Sequence, residues 1–204
     1  GGNHTMTAWA TLLLGCQRGL LGLLAVLLCL VATVSQAAEP RIERIEPLIT
    51  EGQLTLDLDL TFDLGRVVTE AAERGVPLYF TFDLKITSPR WWWFDRVLVE
   101  ATLTRRLTYN ALTQQWRVAT GDLFLPVKSL NEALALLKQV RGWPVAPSDR
   151  FEKNQRYEGR IRMRLDASQL ARPLQLEAAR SSAWSLASPW APFDFSIRQA
   201  GPAK

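Results

Sequence analysis

The segment "QLTLDLDLTFDL", Gln53 to Leu64, places Asp57 and Asp59 two residues apart on one face of an extended chain. Same-face neighbours on a strand stand about 7 Å apart, so distance alone does not dismiss a carboxylate pair for glycoside hydrolysis. A general acid also needs a raised pKa, and nothing around these aspartates implies one. Solvated acids, or acids paired with arginines of an adjacent strand, are the simpler reading. A carboxylate glycosidase is therefore the most distant function.

"RYEGRIRMRLD" sets Arg160, Arg162 and Arg164 on one strand face, flanked by Arg156 and Glu158. Guanidinium groups hold phosphate, sulfate or lipid head groups bidentately, so this ladder is a candidate surface for an anionic envelope ligand. The competing expectation is ion pairing with the row Asp57, Asp59 and Asp63, or with Glu100, because like charges stacked on one strand repel. "PRWWWFDRVLVEATLTRRLTY", Pro89 to Tyr109, adds aromatic surface. Its odd positions from Trp91 to Tyr109 are apolar apart from Asp95 and Arg105. That parity sends Trp91 and Trp93 to a core and leaves Trp92 and Phe94 on the opposite face, unless a bulge near Pro89 or Asp95 intervenes. Trp92 and Phe94 then need a cover: a helix, the Trp184–Trp190 tail, a membrane interface or a partner.

Other chemistries are excluded by residue type. Both cysteines, Cys16 and Cys29, and the only histidine, His4, precede the expected start of the mature chain. Without them there is no Ser-His-Asp triad, thiolate nucleophile or conventional zinc site. No glycine-rich phosphate loop or EF-hand appears, and Lys85, Lys128, Lys138 and Lys153 stand in no serine–lysine motif. No catalytic residue, cofactor-binding residue or metal ligand is predicted, and the expectation is a protein that is not an enzyme.

Export is the expectation from the N-terminal segment. Arg18 precedes the sixteen apolar residues Gly19–Val34, and Ser35 and Ala37 form a small-x-small cleavage site. This describes a signal peptide, since a membrane-crossing helix needs roughly twenty apolar residues. Residues 1–37 are thus assigned to an extension and signal helix, and 38–204 to one exported, periplasmic domain. The alternative is an uncleaved helix anchored in the inner membrane. The mature chain keeps 23 of 24 basic residues against all 20 acids, a net +3 that is too small to argue for nucleic acid.

The elements that must position these residues are mostly strands. After Gln53–Leu64, "GRVVTEAAERG" reads as a short helix closed by Gly75, and Val76–Ile86 as a second alternating strand, the two strands being antiparallel neighbours. "YNALTQQWRV" turns back into a strand from Gln114 to Ala119. Ser129 and Glu132 have capping-box spacing ahead of a helix carrying Leu130, Ala133, Leu134, Leu137 and Val140, followed by a turn-rich link through Pro144, Pro147, Ser148 and Asp149. The tail is strand-like around Leu174–Leu176 and Phe193–Ile197. The fold class expected is mainly β: an antiparallel sandwich or strongly curved sheet with one or two helices.

"ITEGQLTLDLDLTFDL", "ERGVPLYFTFDLKI", "WWWFDRVLVEATLTRRLTYNALTQQWRV" and "RPLQLEAARSSAWSLASPW" together resemble the domain of unknown function 4390 family of exported proteobacterial proteins, from about Ile45 to Trp190. The hairpin "LTYNALTQQWRV" and the Trp184–Trp190 pattern are the most specific parts. The resemblance implies an exported domain with no catalytic residues to carry over. It also implies an envelope signalling context, because such proteins are often encoded beside a membrane sensor kinase of nitrogen-regulation type. The leading expectation is a non-enzymatic module that binds a membrane or periplasmic protein partner.

Overall fold

The alternation in Gln53–Leu64 folds as a strand, with Leu54, Leu56, Leu58 and Leu60 buried on one side. It belongs to a computed structural model that describes residues 39–88 and 96–197. Among the described residues the order is β1 (Arg41–Thr50), β2 (Gln53–Thr61), α1 (Arg66–Glu73), β3 (Leu78–Ser88), β4 (Arg96–Asn110), β5 (Gln115–Thr120), β6 (Leu123–Val127), α2 (Leu130–Leu137), β7 (Gln139–Pro147), β8 (Arg156–Leu165), α3 (Arg172–Arg180) and β9 (Ala191–Ser196). A three-stranded sheet runs β1-β2-β7 and a six-stranded sheet runs β6-β5-β4-β3-β8-β9, antiparallel throughout. One core joins the inner faces of both sheets, so the expected mainly β sandwich is what forms.

β2 and β3 are not neighbours, contrary to the sequence expectation. They lie in different sheets, and the Phe62 and Phe80 rings meet in the shared core with centroids 5.5 Å apart. Both strands carry an unbroken apolar face, and opposing the two faces dries each with the other. The α1 link makes the change of sheet and ends in a Schellman arrangement. Val76 N donates to Ala71 O at 3.0 Å and Gly75 N to Ala72 O at 2.9 Å, with Gly75 at φ 89°.

α2 is capped as the spacing predicts, Ser129 Oγ accepting from Glu132 N at 3.2 Å. The Glu132 carboxylate reaches back one residue further than in the standard box, to Lys128 N at 3.1 Å. The helix stops at Leu137. Ser148 and Asp149 lie in a 3-10 turn, Ser148–Arg150, while the expected extension to Val140 and the link as far as Pro147 are instead β7. Its buried residues, Val140, Trp143 and Ala146, recur every third position because register shifts interrupt the pairing with β2. Arg141 and Gly142 together face Asp57, Gly142 has φ 60°, and Asp57 Oδ1 accepts from Gly142 N at 2.7 Å. Asp57→Ala leaves that bulge amide to water alone and is expected to cost about 1 kcal/mol, with Asp57→Asn close to wild type, in urea unfolding.

Two further corrections concern the tail and β4. Leu174–Leu176 lies in helix α3, where Pro173 sits in the first turn and Leu176 is exposed. Arginine, leucine, glutamine, glutamate and alanine all favour helix, and the absence of β-branched residues removes any bias to strand. α3 therefore makes three helices among the described residues, against the one or two expected. In β4 a register shift opposite Ile86 and Thr87 skips Leu98, leaving Val97 exposed while Val99 is buried. The parity counted from Leu107 therefore breaks at Leu98. β1 and the short β6 carried no sequence expectation.

Candidate functional site

β8 projects Arg160, Arg162 and Arg164 from the outer face of the six-stranded sheet, opposite Lys85, Asp83 and Thr81 of β3. Asp83 is the hub of this face. Its Oδ2 accepts from Arg162 Nε at 3.1 Å and from Arg164 Nε at 3.0 Å. Arg164 also reaches Asp166 Oδ1 at 3.1 Å. The expected pairing with Asp57, Asp59 and Asp63 does not occur, because Asp57 and Asp59 belong to the other sheet and Asp63 follows its strand β2. Glu100 pairs with Lys85 at 2.8 Å rather than with the ladder.

The third rung differs. Among the described residues Arg160 has no carboxylate within ion-pair distance; its guanidinium lies 5.2 Å from the Trp190 ring centroid, and that of Arg162 lies 4.7 Å from it. Trp190 is held there because the preceding chain docks on β8. Leu165 N donates to Leu186 O at 2.7 Å, and Ser188 N to Met163 O at 2.8 Å. Ser188 Oγ accepts from Met163 N at 3.0 Å. Thus the Trp184–Trp190 pattern closes the edge of β8 and supplies the ring that Arg160 and Arg162 share.

Burial opposes the charge of Arg164, yet Asp83 and Asp166 outweigh it and raise its pKa. Burial likewise raises the Asp166 carboxyl. Hydrogen bonds from Ser168 and Gln169 and the charge of Arg164 dominate, bringing it to about 2. The folded pKa lies below the ordinary aspartate value, so the stabilisation is present above about pH 4 and is lost as pH falls towards 2. Asp166→Asn is expected to flatten the acid limb of unfolding stability between those pH values and to cost about 2 kcal/mol at neutrality.

Asp57 and Asp59 both face β7. Asp57 holds the Gly142 bulge, and Asp59 pairs with Arg141 and, at 3.6 Å, with Arg44 of β1. Arg141 also donates to Leu58 O at 2.7 Å. Asp63 pairs with Lys138 at 3.5 Å. Trp92 and Phe94 lie outside the described residues.

The feature that sequence reasoning missed is the β6 edge of the six-stranded sheet, which pairs with no further strand among the described residues. In β6, Leu123, Phe124 and Leu125 are 81, 59 and 52% exposed. Leu123 and Leu125, with Val118, Leu136, Arg105 and Arg141, line an open groove of about 390 Å³, while Arg117 stacks on Phe124 at 5.2 Å. Arg105 points inward from β4, and its Nη1 donates to Leu136 O at 2.9 Å and Gln139 O at 2.7 Å. Its Nε is buried without a partner, and burial together with nearby Arg141 lowers its pKa. "LFLPV" had a signal, three large apolar residues just after a Gly-Asp turn, but it is too short for periodicity to separate strand from loop.

Fold and surface together define an antiparallel β-sandwich domain whose ionic rows are largely paired within the chain and whose β6 edge is open and apolar. The chain belongs to the family described as domain of unknown function (DUF4390), which matches residues 37–194. Comparison with curated proteins and with solved structures yields no match. Among the described residues no helix is long and apolar enough to cross a membrane.

Proposed function

We propose that this chain is a non-enzymatic, exported binding module whose partner is a protein of the envelope, most simply the extracytoplasmic part of a membrane protein. The observation that carries this reading is the run Leu123, Phe124 and Leu125, three large apolar residues exposed together on a sheet edge. Edges of this kind are ordinarily blunted or covered, and a contiguous apolar one marks an interaction surface. Export is supported by the sequence of residues 19–37, and envelope signalling by the family resemblance alone.

The test is affinity capture from solubilised envelopes with wild type beside a Leu123→Ser, Phe124→Ser double variant and a Trp92→Ala, Phe94→Ala double variant. A partner retained by wild type, lost by the first variant and recovered reciprocally when the partner carries the tag supports the reading at β6. Loss only in the second variant moves the surface to Trp92 and Phe94. An identical set of captured proteins in all three counts against both.

Binding of an anionic lipid or polysaccharide is the second reading, and one observation favours it: Arg160 has no ion-pair partner among the described residues and faces a cleft lined also by Lys85, Arg156, Glu158 and Asp194, in which Lys85 pairs with Glu100 and Arg156 with Asp194. Asp83 and Asp166 already neutralise Arg162 and Arg164, so Arg160→Gln should remove any salt-sensitive binding to anionic vesicles.

A further inference from the structure

The pairing of β5 with β6 dictates which backbone groups the edge offers. Thr120 and Leu123 close the hairpin over two residues, and the closing pair of such a hairpin exchanges both of its N–H···O bonds. Leu123 and Leu125 consequently direct their backbone groups at β5, and Phe124 and Pro126 direct theirs outward. Pro126 has no N–H to leave unpaired. The open edge therefore presents a donor and an acceptor at Phe124 and a further acceptor at Pro126, enough to hold a few residues of an added strand.

Side chains and charge then narrow the occupant. Leu123 and Leu125 pair with Thr120 and Val118, which places them on the groove side together with Leu136. Arg105 and Arg141 contribute the charged part of the groove lining. Arg141 has Asp59, whereas Arg105 has no carboxylate partner among the described residues, and its Nη2 makes no hydrogen bond among them. A second copy of the chain docked through the same edge would present the same acid-free, cationic groove lining and so no complementary charge. An incoming carboxylate would instead meet unpaired positive charge at an apolar site, where charge-assisted hydrogen bonds are strong.

We propose that β6 and its groove receive an extended segment of a partner protein, added antiparallel to the β6 edge, with apolar side chains against Leu123 and Leu125 and one carboxylate directed at Arg105 and Arg141. This deepens the binding-module reading and rests on it. The recognition mode is strand addition, in which main-chain bonds supply register and the alternate side chains supply selectivity.

The test is selection of a random displayed peptide library on the full chain, in parallel with a Leu125→Glu variant. That substitution falls at an exposed position and places a competing carboxylate in the groove. The expected result is enrichment of peptides in which an acidic residue alternates with apolar ones. Synthetic copies should weaken about tenfold when the acid becomes its amide, a change of about 1.4 kcal/mol. They should also weaken at least tenfold on Leu125→Glu, and in high salt. Enriched peptides without an acid overturn the carboxylate assignment and leave the binding-module reading standing. Peptides that bind Leu125→Glu as well as wild type overturn the site. No enrichment, alongside a β6-dependent partner in envelope capture, overturns the linear-strand chemistry alone. Failure of both experiments overturns the binding module itself.

Discussion

Phe80→Ala is expected to lower unfolding stability by about 3–5 kcal/mol, the cost of emptying a fully buried phenylalanine site. Phe80 has no exposed surface and faces Phe62 across the two sheets at 5.5 Å. A loss of that size takes a large share of the 5–15 kcal/mol typical of a domain, and corresponds to a fall in Tm of roughly 6–20 °C. Urea unfolding with an unchanged m value would assign the loss to the folded state. A double-mutant cycle with Phe62→Ala should return a coupling of about 0.5–1.5 kcal/mol, as found for aromatic pairs. Additive effects would show that the rings do not meet, and would contradict the opposition of β2 and β3.

Arg105→Leu is the second large effect, expected at about 2–4 kcal/mol destabilising. The Arg105 guanidinium ties together two carbonyls: Leu136 O in the last turn of α2, which also accepts a backbone N–H of the helix cap, and Gln139 O at the start of β7. A cation at a helix C-terminus also complements the dipole. Leucine matches the apolar groove but removes the donor that the two oxygens share. Removing a charge that burial and Arg141 already disfavour offsets part of the loss. Amide hydrogen exchange should report it locally, with faster exchange across residues 130–147 than across β3. Unchanged protection there would mean that water replaces the guanidinium without penalty.

Much of the fold was legible because some segments carry a period that only one element satisfies. Gln53–Leu64 and Arg156–Leu165 alternate without interruption, and strands form over Gln53–Thr61 and Arg156–Leu165 with their apolar side buried. The Ser129–Glu132 cap and the Gly75 stop are local chemistry, complete within a few residues, and both stand where the sequence puts them. Segments that defeat the period were misread. β7 buries every third residue because its bulges add chain on one side of the pairing, and bulges leave no mark in composition beyond Gly142. Leu174–Leu176 alternates over too few residues to outweigh the helix-favouring residues around it.

By itself the sequence determined the class of the molecule and the chemistry open to it: a mainly β domain with neither cysteine nor histidine beyond residue 29, carrying a one-sided arginine row. Tertiary structure alone decided which acids meet those arginines. A strand's alternation fixes the face a side chain occupies, whereas the strand beside it is chosen by the burial of whole faces. That choice put Asp83 and Asp166, rather than Asp57, Asp59 and Asp63, against Arg162 and Arg164. The same global packing made β6 the last strand of its sheet among the described residues, and left Leu123, Phe124 and Leu125 exposed.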